Sequence, residues 1–231
     1  MKIRQVLTLI GLTMLCITAA GQESKAEHWV KIGKTYIDQG KYDDAQKAYE
    51  KAIDLDPQYK YGWVGMSATL AMLGNHEEAL KYATKVLEID PKDADAWHTK
   101  GNELAALDKQ EEAISCFDKA IELSPTNAEI WNDKGRALFS LDRYDEALQC
   151  FYKATKINPQ FAAAWIGKGA ALGNQGKYEE ALTAFDKAIQ IDPKSVDAWR
   201  SKGIALEMLH RYSEANTTYA KSNELGYKGT K

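Results

Sequence analysis

Residues 131–159 read WNDKGRALFSLDRYDEALQCFYKATKINP, and this stretch decides the fold. Trp131, Gly135 and Leu138 stand at offsets of zero, four and seven, the stripe of an amphipathic helix. Ala147, Phe151 and Ala154 follow at offsets sixteen, twenty and twenty-three, a second helical stripe, and Pro159 comes at twenty-eight. A proline lacks an N–H and restricts the residue before it, so it ends the second helix and turns the chain. The stretch reads as helix, turn, helix.

The same pattern recurs in both directions. Six tryptophans (Trp29, Trp63, Trp97, Trp131, Trp165, Trp199) are spaced 34 residues apart, and all five prolines (Pro57, Pro91, Pro125, Pro159, Pro193) follow a tryptophan by 28. A fixed period of this length marks a repeat architecture. Four after each Trp comes Gly33, Ser67, Gly101, Gly135, Gly169 or Gly203; sixteen after it comes Ala45, Ala79, Ala113, Ala147, Ala181 or Ala215. Twenty after it is an aromatic in five copies: Tyr49, Phe117, Phe151, Phe185, Tyr219. Joints such as Gln39-Gly40-Lys41 and Gln175-Gly176-Lys177 supply glycine for the left-handed residue that ends the first helix. Acidic pairs such as Asp43-Asp44, Glu77-Glu78 and Glu179-Glu180 fall in the first turn of the second helix. There the helix dipole favours negative charge, which accounts for them without catalysis.

These residues closely resemble the tetratricopeptide repeat family, a 34-residue helix-turn-helix marked by Trp, Gly, Leu or Tyr, Ala, an aromatic, Ala and Pro. The resemblance implies an all-α fold, a right-handed superhelical α-solenoid. Its expected units are 26–59, 60–93, 94–127, 128–161, 162–195 and 196–229, after a signal peptide over 1–20 and a linker over 21–25, with a tail at 230–231. Departures are Ser67 for Gly, Ala83 for the aromatic with Tyr82 beside it, Val86 for the small Ala, and Tyr227 at the place of a sixth proline. One unit cannot bury both its faces, so the units must stack, with Gly expected to meet Ala where helices approach closely. The last unit breaks pattern with Asn216 and Ser222-Asn223, the polarity expected of a terminal helix facing water, so the array is expected to end there.

The resemblance also implies that residues one, five and eight after each Trp line a concave groove. The candidate partner-binding residues are Val30, Lys34, Ile37, Val64, Ala68, His98, Asn102, Asn132, Arg136, Phe139, Ile166, Ala170 and Arg200. Asn102, Asn132 and Arg136 offer hydrogen bonds to a peptide backbone or carboxylate, while Ala68 and Ala170 leave room beside Val64, Phe139 and Ile166 for an apolar anchor. The alternative is that these are solvated helix faces and that a partner uses an edge or the convex side. The Lys, Asn and Arg clamp by which some family members hold chaperone tails is not reproduced, since Asp133 and Gly167 stand where an amide is wanted. Lys100, Lys134, Lys168 and Lys202 form a ladder three after each Trp, read first as stems lying over the next layer and second as a polyanion surface. Cys116 and Cys150 occupy equivalent places in adjacent units, roughly 8–10 Å apart and beyond a disulfide's reach, so they read as packing thiols.

The chain is 45% hydrophobic and 27% charged with a net charge of −3, too polar for a polytopic membrane protein and without the basic excess that nucleic acid requires. No Cys or His pair has metal-ligand spacing, no Gly-rich phosphate loop occurs, and no nucleophile and base stand apart from the repeat; no cofactor, metal or catalytic site is expected. At the start, Lys2 and Arg4 precede the apolar run Val6 to Ile17 and the small residues Thr18-Ala19-Ala20-Gly21, the layout of a signal peptide. A helix over Val6 to Ala20 would be roughly 22 Å long, short of a ~30 Å bilayer core, so an uncleaved anchor is the alternative. Membrane contact is expected only through that segment. The expectation is an exported, non-catalytic scaffold, periplasmic, cell-surface or extracellular, that holds a protein or peptide segment. The competing expectation is a structural protein assembling with its own copies through terminal repeats or the convex face.

Overall fold

The computed structural model describes residues 24–226. The expected signal segment over 1–20, Tyr227 and the tail lie outside the described residues. Those residues form twelve α-helices and no strand, in two compact units divided between Asp90 and Pro91. The first unit holds α1 (Lys25–Asp38), α2 (Tyr42–Leu55), α3 (Lys60–Met72) and α4 (His76–Ile89). The second holds α5 (Ala94–Ala106), α6 (Gln110–Leu123), α7 (Ala128–Ser140), α8 (Tyr144–Ile157), α9 (Ala162–Asn174), α10 (Tyr178–Ile191), α11 (Val196–Met208) and α12 (Tyr212–Glu224). Each is a stack of antiparallel helix pairs, the all-α helical-repeat class that the spacing predicts. Within each unit a first helix packs on its own second helix, on the second helix before it and on the neighbouring first helix.

The two kinds of helix begin differently. First helices α1, α5, α7 and α11 are capped by side chains: Ser24, Asp93, Asn127 and Ser195 accept from backbone N–H groups of Glu27, Ala96, Glu129 and Ala198. Second helices have no side-chain cap, and five of them carry acidic pairs in the first turn instead, facing unpaired N–H groups. Each proline stands two residues past the end of a second helix, and its carbonyl accepts from the indole Nε1 of the next tryptophan, six residues on. The five N···O distances, from Trp63 to Pro57 through Trp199 to Pro193, are 2.9–3.0 Å. The acceptor is a backbone group, so the bond ties the indole to the turn, while the proline itself serves the helix end. The indole fixes the turn that launches the next repeat.

The core of each unit is built of alanines and rings. Ala45, Ala79, Ala113, Ala147, Ala181 and Ala215 are all buried, as are Tyr49, Phe117, Phe151 and Phe185. The glycine four after Trp also faces the aromatic ring of its own repeat, which the spacing alone does not assign to it. A Cβ at Gly33 would lie 2.6 Å from the Tyr49 ring, and one at Gly135 2.8 Å from Phe151. In the second repeat both partners change together. Ala83 leaves no ring to accommodate, Ser67 takes the glycine's place, and its buried hydroxyl donates to the Ala79 carbonyl at 2.9 Å. Ser222 corrects an expectation: it is 1% exposed, filling the small-residue position of α12 and donating to the Val196 carbonyl at 3.4 Å. Asn216 and Asn223 are exposed.

Candidate functional site

The three groove offsets have different fates. In the first unit, one residue past the tryptophan, Val30 packs with Ile37 against the core built by Tyr49 and Met66, while Val64 is 39% exposed. Lys34 and Ala68, at the fifth offset, are exposed. In the second unit Ile166 joins the core cluster around Phe185 and Leu206, and Arg200 is exposed on α11. Asn132 does not reach a ligand surface at all. It is 4% exposed; its Nδ2 donates to Asp133 Oδ1 at 3.1 Å, and its Oδ1 is buried without a partner. The first offset is therefore largely a packing position. Residues five, eight and nine past the tryptophan, together with residue two, make the accessible face.

On that face of the second unit, two clefts open at equivalent places. One lies between α5 and α7 over the Phe117 ring, has a volume of about 330 Å³, and is bordered by Asn102, Ala105, Gln110, Asp133, Arg136 and Ser140. The other lies between α9 and α11 over Phe185, has about 290 Å³, and is bordered by Ala170, Gly173, Tyr178, Ser201, Ile204 and Met208. The residue two past the incoming tryptophan differs between these places and the one between α7 and α9. Between α7 and α9 that residue is Gly167, whose backbone presses on the Phe151 ring so closely that a Cβ would overlap it. Asp133 and Ser201 carry a side chain at the same offset, which keeps the incoming backbone off the ring. Phe139 meets Tyr144 edge-on, centroids 5.2 Å apart. Phe139, expected as an anchor surface, is half-buried as a wall between two openings.

The α5–α7 cleft is polar because of one carboxylate. Asp133 Oδ2 pairs with His98 Nε2 at 2.8 Å, and its Oδ1 accepts from Asn132. Arg136 stands 3.7 Å from Oδ1, with its side chain 75% exposed. The Asn102 amide lies 3.3 Å from the same His98 nitrogen. It is Nδ2 of Asn102 that faces this nitrogen, so the amide belongs to the same polar cluster as Asp133. Asp133 thus accepts from Asn132, pairs with His98 and has Arg136, 3.7 Å away, as a positively charged neighbour. Sequence reasoning noted Asp133 only as a missing amide. Its pairing with His98, 35 positions earlier, appears only in the fold.

The α9–α11 cleft is apolar. Ile204 is 42% and Met208 52% exposed, above a phenyl floor. At the far end of α11, Glu207 Oε2 accepts from Tyr219 OH at 2.8 Å; burial first, and then this bond, pushes the phenol up to about 12. The lysine ladder is engaged in packing: Lys134 pairs with Asp118 and Lys202 with Asp186, while Lys168 lies 4.9 Å from the Trp165 ring centre. Cys116 and Cys150 are free and buried. Among the described residues no three His, Cys, Asp or Glu side chains gather to hold a metal ion, and no helix is long and apolar enough to cross a membrane.

Models of the tetratricopeptide repeat match residues 36–102, 128–161, 162–195 and 184–215, and a TPR repeat model matches 101–142. No curated protein sequence matches significantly. Among solved structures, MamA is 26% identical with a TM-score of 0.64, covering 71% of this chain and 95% of its own. YrrB, a TPR protein with an unusual peptide-binding site, is 24% identical with a TM-score of 0.63, covering 79% and 94%. PilF of Pseudomonas aeruginosa shares the fold at 16% identity and a TM-score of 0.78, covering 89% and 93%. Stacked helix pairs, the Trp-to-Pro bond and these matches together lead to one assignment: the chain belongs to the tetratricopeptide repeat family.

Proposed function

We propose that this protein is an exported, non-catalytic scaffold that holds a protein or peptide segment on the face formed by its first helices. One observation carries the reading: the face of the second unit leaves two side-chain-sized clefts open over buried rings, one polar and one apolar. A rigid helical surface with apolar hollows and a few placed polar groups suits a peptide segment. YrrB, which has a peptide-binding site, is built on the same kind of frame. Export rests on the basic start, apolar run and small residues of the first 21 positions.

The test is a photo-crosslinking residue placed at Ala170, on the open face, with Lys187 on α10 as control. In the protein's native compartment, Ala170 is expected to capture a partner segment and Lys187 not to. Capture from Lys187 alone would move the site off this face. For export, the protein recovered from cells is expected to begin at Gly21; an intact Met1 on membrane-bound protein would favour an anchor. Self-assembly is the competing reading, and sedimentation separates them: growth of the particle with concentration favours assembly.

A further inference from the structure

We infer that Asn216 is the acceptor of an N-linked glycan carried on the outer face of α12. This rests on the export reading above, because such a transfer belongs to secreted chains. Of the eight asparagines in the chain only Asn216 heads an acceptor triplet, Asn216-Thr217-Thr218, with a hydroxyl two residues on and no proline between. Its register sets it apart as well. In the inner repeats of the second unit the same place, one past the buried alanine, holds Ile114, Leu148 and Leu182. Leu148 packs against the core around Leu172 and Phe185 of the next repeat, and Leu182 shares that core with Leu206 of the repeat after its own. This is therefore the face on which a following repeat stacks. Asn216 stands on it in α12, exposed, with an amide in place of the aliphatic contact.

The surroundings suit a sugar. Ser213, Thr217 and Ala220 beside Asn216 are exposed and uncharged, and Tyr212, one turn earlier, presents a ring that is 56% exposed. That ring offers the C–H groups of a sugar an apolar surface. Thr218, whose hydroxyl completes the triplet, lies about 200° round the helix from Asn216. It is 5% exposed, and its Oγ1 donates to the Glu214 carbonyl at 2.8 Å. A transferase cannot read that hydroxyl in the folded helix, so the transfer takes place on the extended chain before α12 docks. The helix then forms with the sugar outside and the threonine inside. The donor is an oligosaccharide linked through pyrophosphate to a lipid. Asn216 Nδ2 bonds to C1 of its first sugar, the C1–O bond to pyrophosphate breaks, the lipid pyrophosphate leaves with the electron pair, and one amide proton passes to a base of the transferase. A bulky polar glycan at this register bars a second copy from stacking on α12.

The test uses the full chain purified from its own cells. Trypsin cuts after Arg211 and Lys221 and releases the peptide 212–221. Mass spectrometry with electron-transfer fragmentation is expected to place an oligosaccharide on Asn216. Asn216→Gln and Thr218→Val are expected to lose it altogether, and Thr218→Ser, which keeps the hydroxyl, to retain it. Asn216 is exposed, so helix content by circular dichroism stays unchanged in Asn216→Gln. An exported chain that begins at Gly21 and carries a bare Asn216 overturns the inference and leaves export standing. Sugar on Ser213 or Thr217 instead, or sugar retained in Thr218→Val, overturns it as well. A chain that stays in the cytoplasm with Met1 intact overturns export, and the inference falls with it.

Discussion

Each residue eleven past a tryptophan adopts positive φ, whatever its type. Gly40, Gly74 and Gly176 have φ of 71°, 78° and 75°, and Asp108, Asp142 and His210 hold 61°, 57° and 60° at the equivalent turns. The turn geometry is thus imposed by helix packing on both sides, and a non-glycine residue there sits in a region that costs an L-residue about 1–2 kcal/mol. His210→Gly is expected to raise stability by about 1 kcal/mol in urea unfolding, and Gly176→Ala to lower it by a similar amount. A second prediction concerns Cys150, which is 5% exposed. Burial is the main cause that pushes its thiol from about 9 up to about 11. The folded state thus favours the neutral thiol, so its contribution is full below pH 9 and is lost as pH rises toward 11. The urea midpoint is expected to fall across that window, and less steeply in Cys150→Ala.

At the scale of elements, the matched departures in the second repeat form a testable pair. A ring needs glycine opposite it, and serine needs the ring gone. Ala83→Phe alone is expected to overpack against Ser67 and cost about 1–3 kcal/mol, and Ser67→Gly alone to leave a hollow and lose the bond to Ala79. Made together, they restore the arrangement of Gly135 with Phe151, so the double-mutant cycle should return a favourable coupling of about 1 kcal/mol or more. Additive costs would mean that the two sites do not sense each other. The helices themselves were legible because their signals are local: apolar spacing at four and seven, a proline after the end, acids in the first turn. The clefts were not, since each is made by the ring of one repeat and the second offset of the next. Nothing in the stretch around Trp131 says that Asp133 will face His98. The same difficulty explains Asn132. One residue past the tryptophan lies at the border between the open face and the preceding repeat, and the neighbour's volume decides which side it takes.

Across a whole unit, stability comes from interfaces between neighbours, so damage should spread only as far as those contacts carry it. Phe151 is the sharpest probe within the second unit. It is 1% exposed, faces Gly135 in its own repeat and Gly167 in the next, and thus belongs to two repeats at once. Phe151→Ala removes that shared ring and should cost about 3–5 kcal/mol. If the stack were a single cooperative block, every amide in its helices would lose the same protection. A nearest-neighbour stack predicts a gradient instead: α7, α8 and α9 lose most, α6 and α10 less, and α5 and α12 least. Hydrogen exchange followed by mass spectrometry reads this directly, and a uniform loss from α5 to α12 would reject the nearest-neighbour description. The same gradient bears on binding. The polar cleft rests on Phe117 and the apolar one on Phe185, neither of which touches the deleted ring's glycines. Each cleft should then persist in Phe151→Ala.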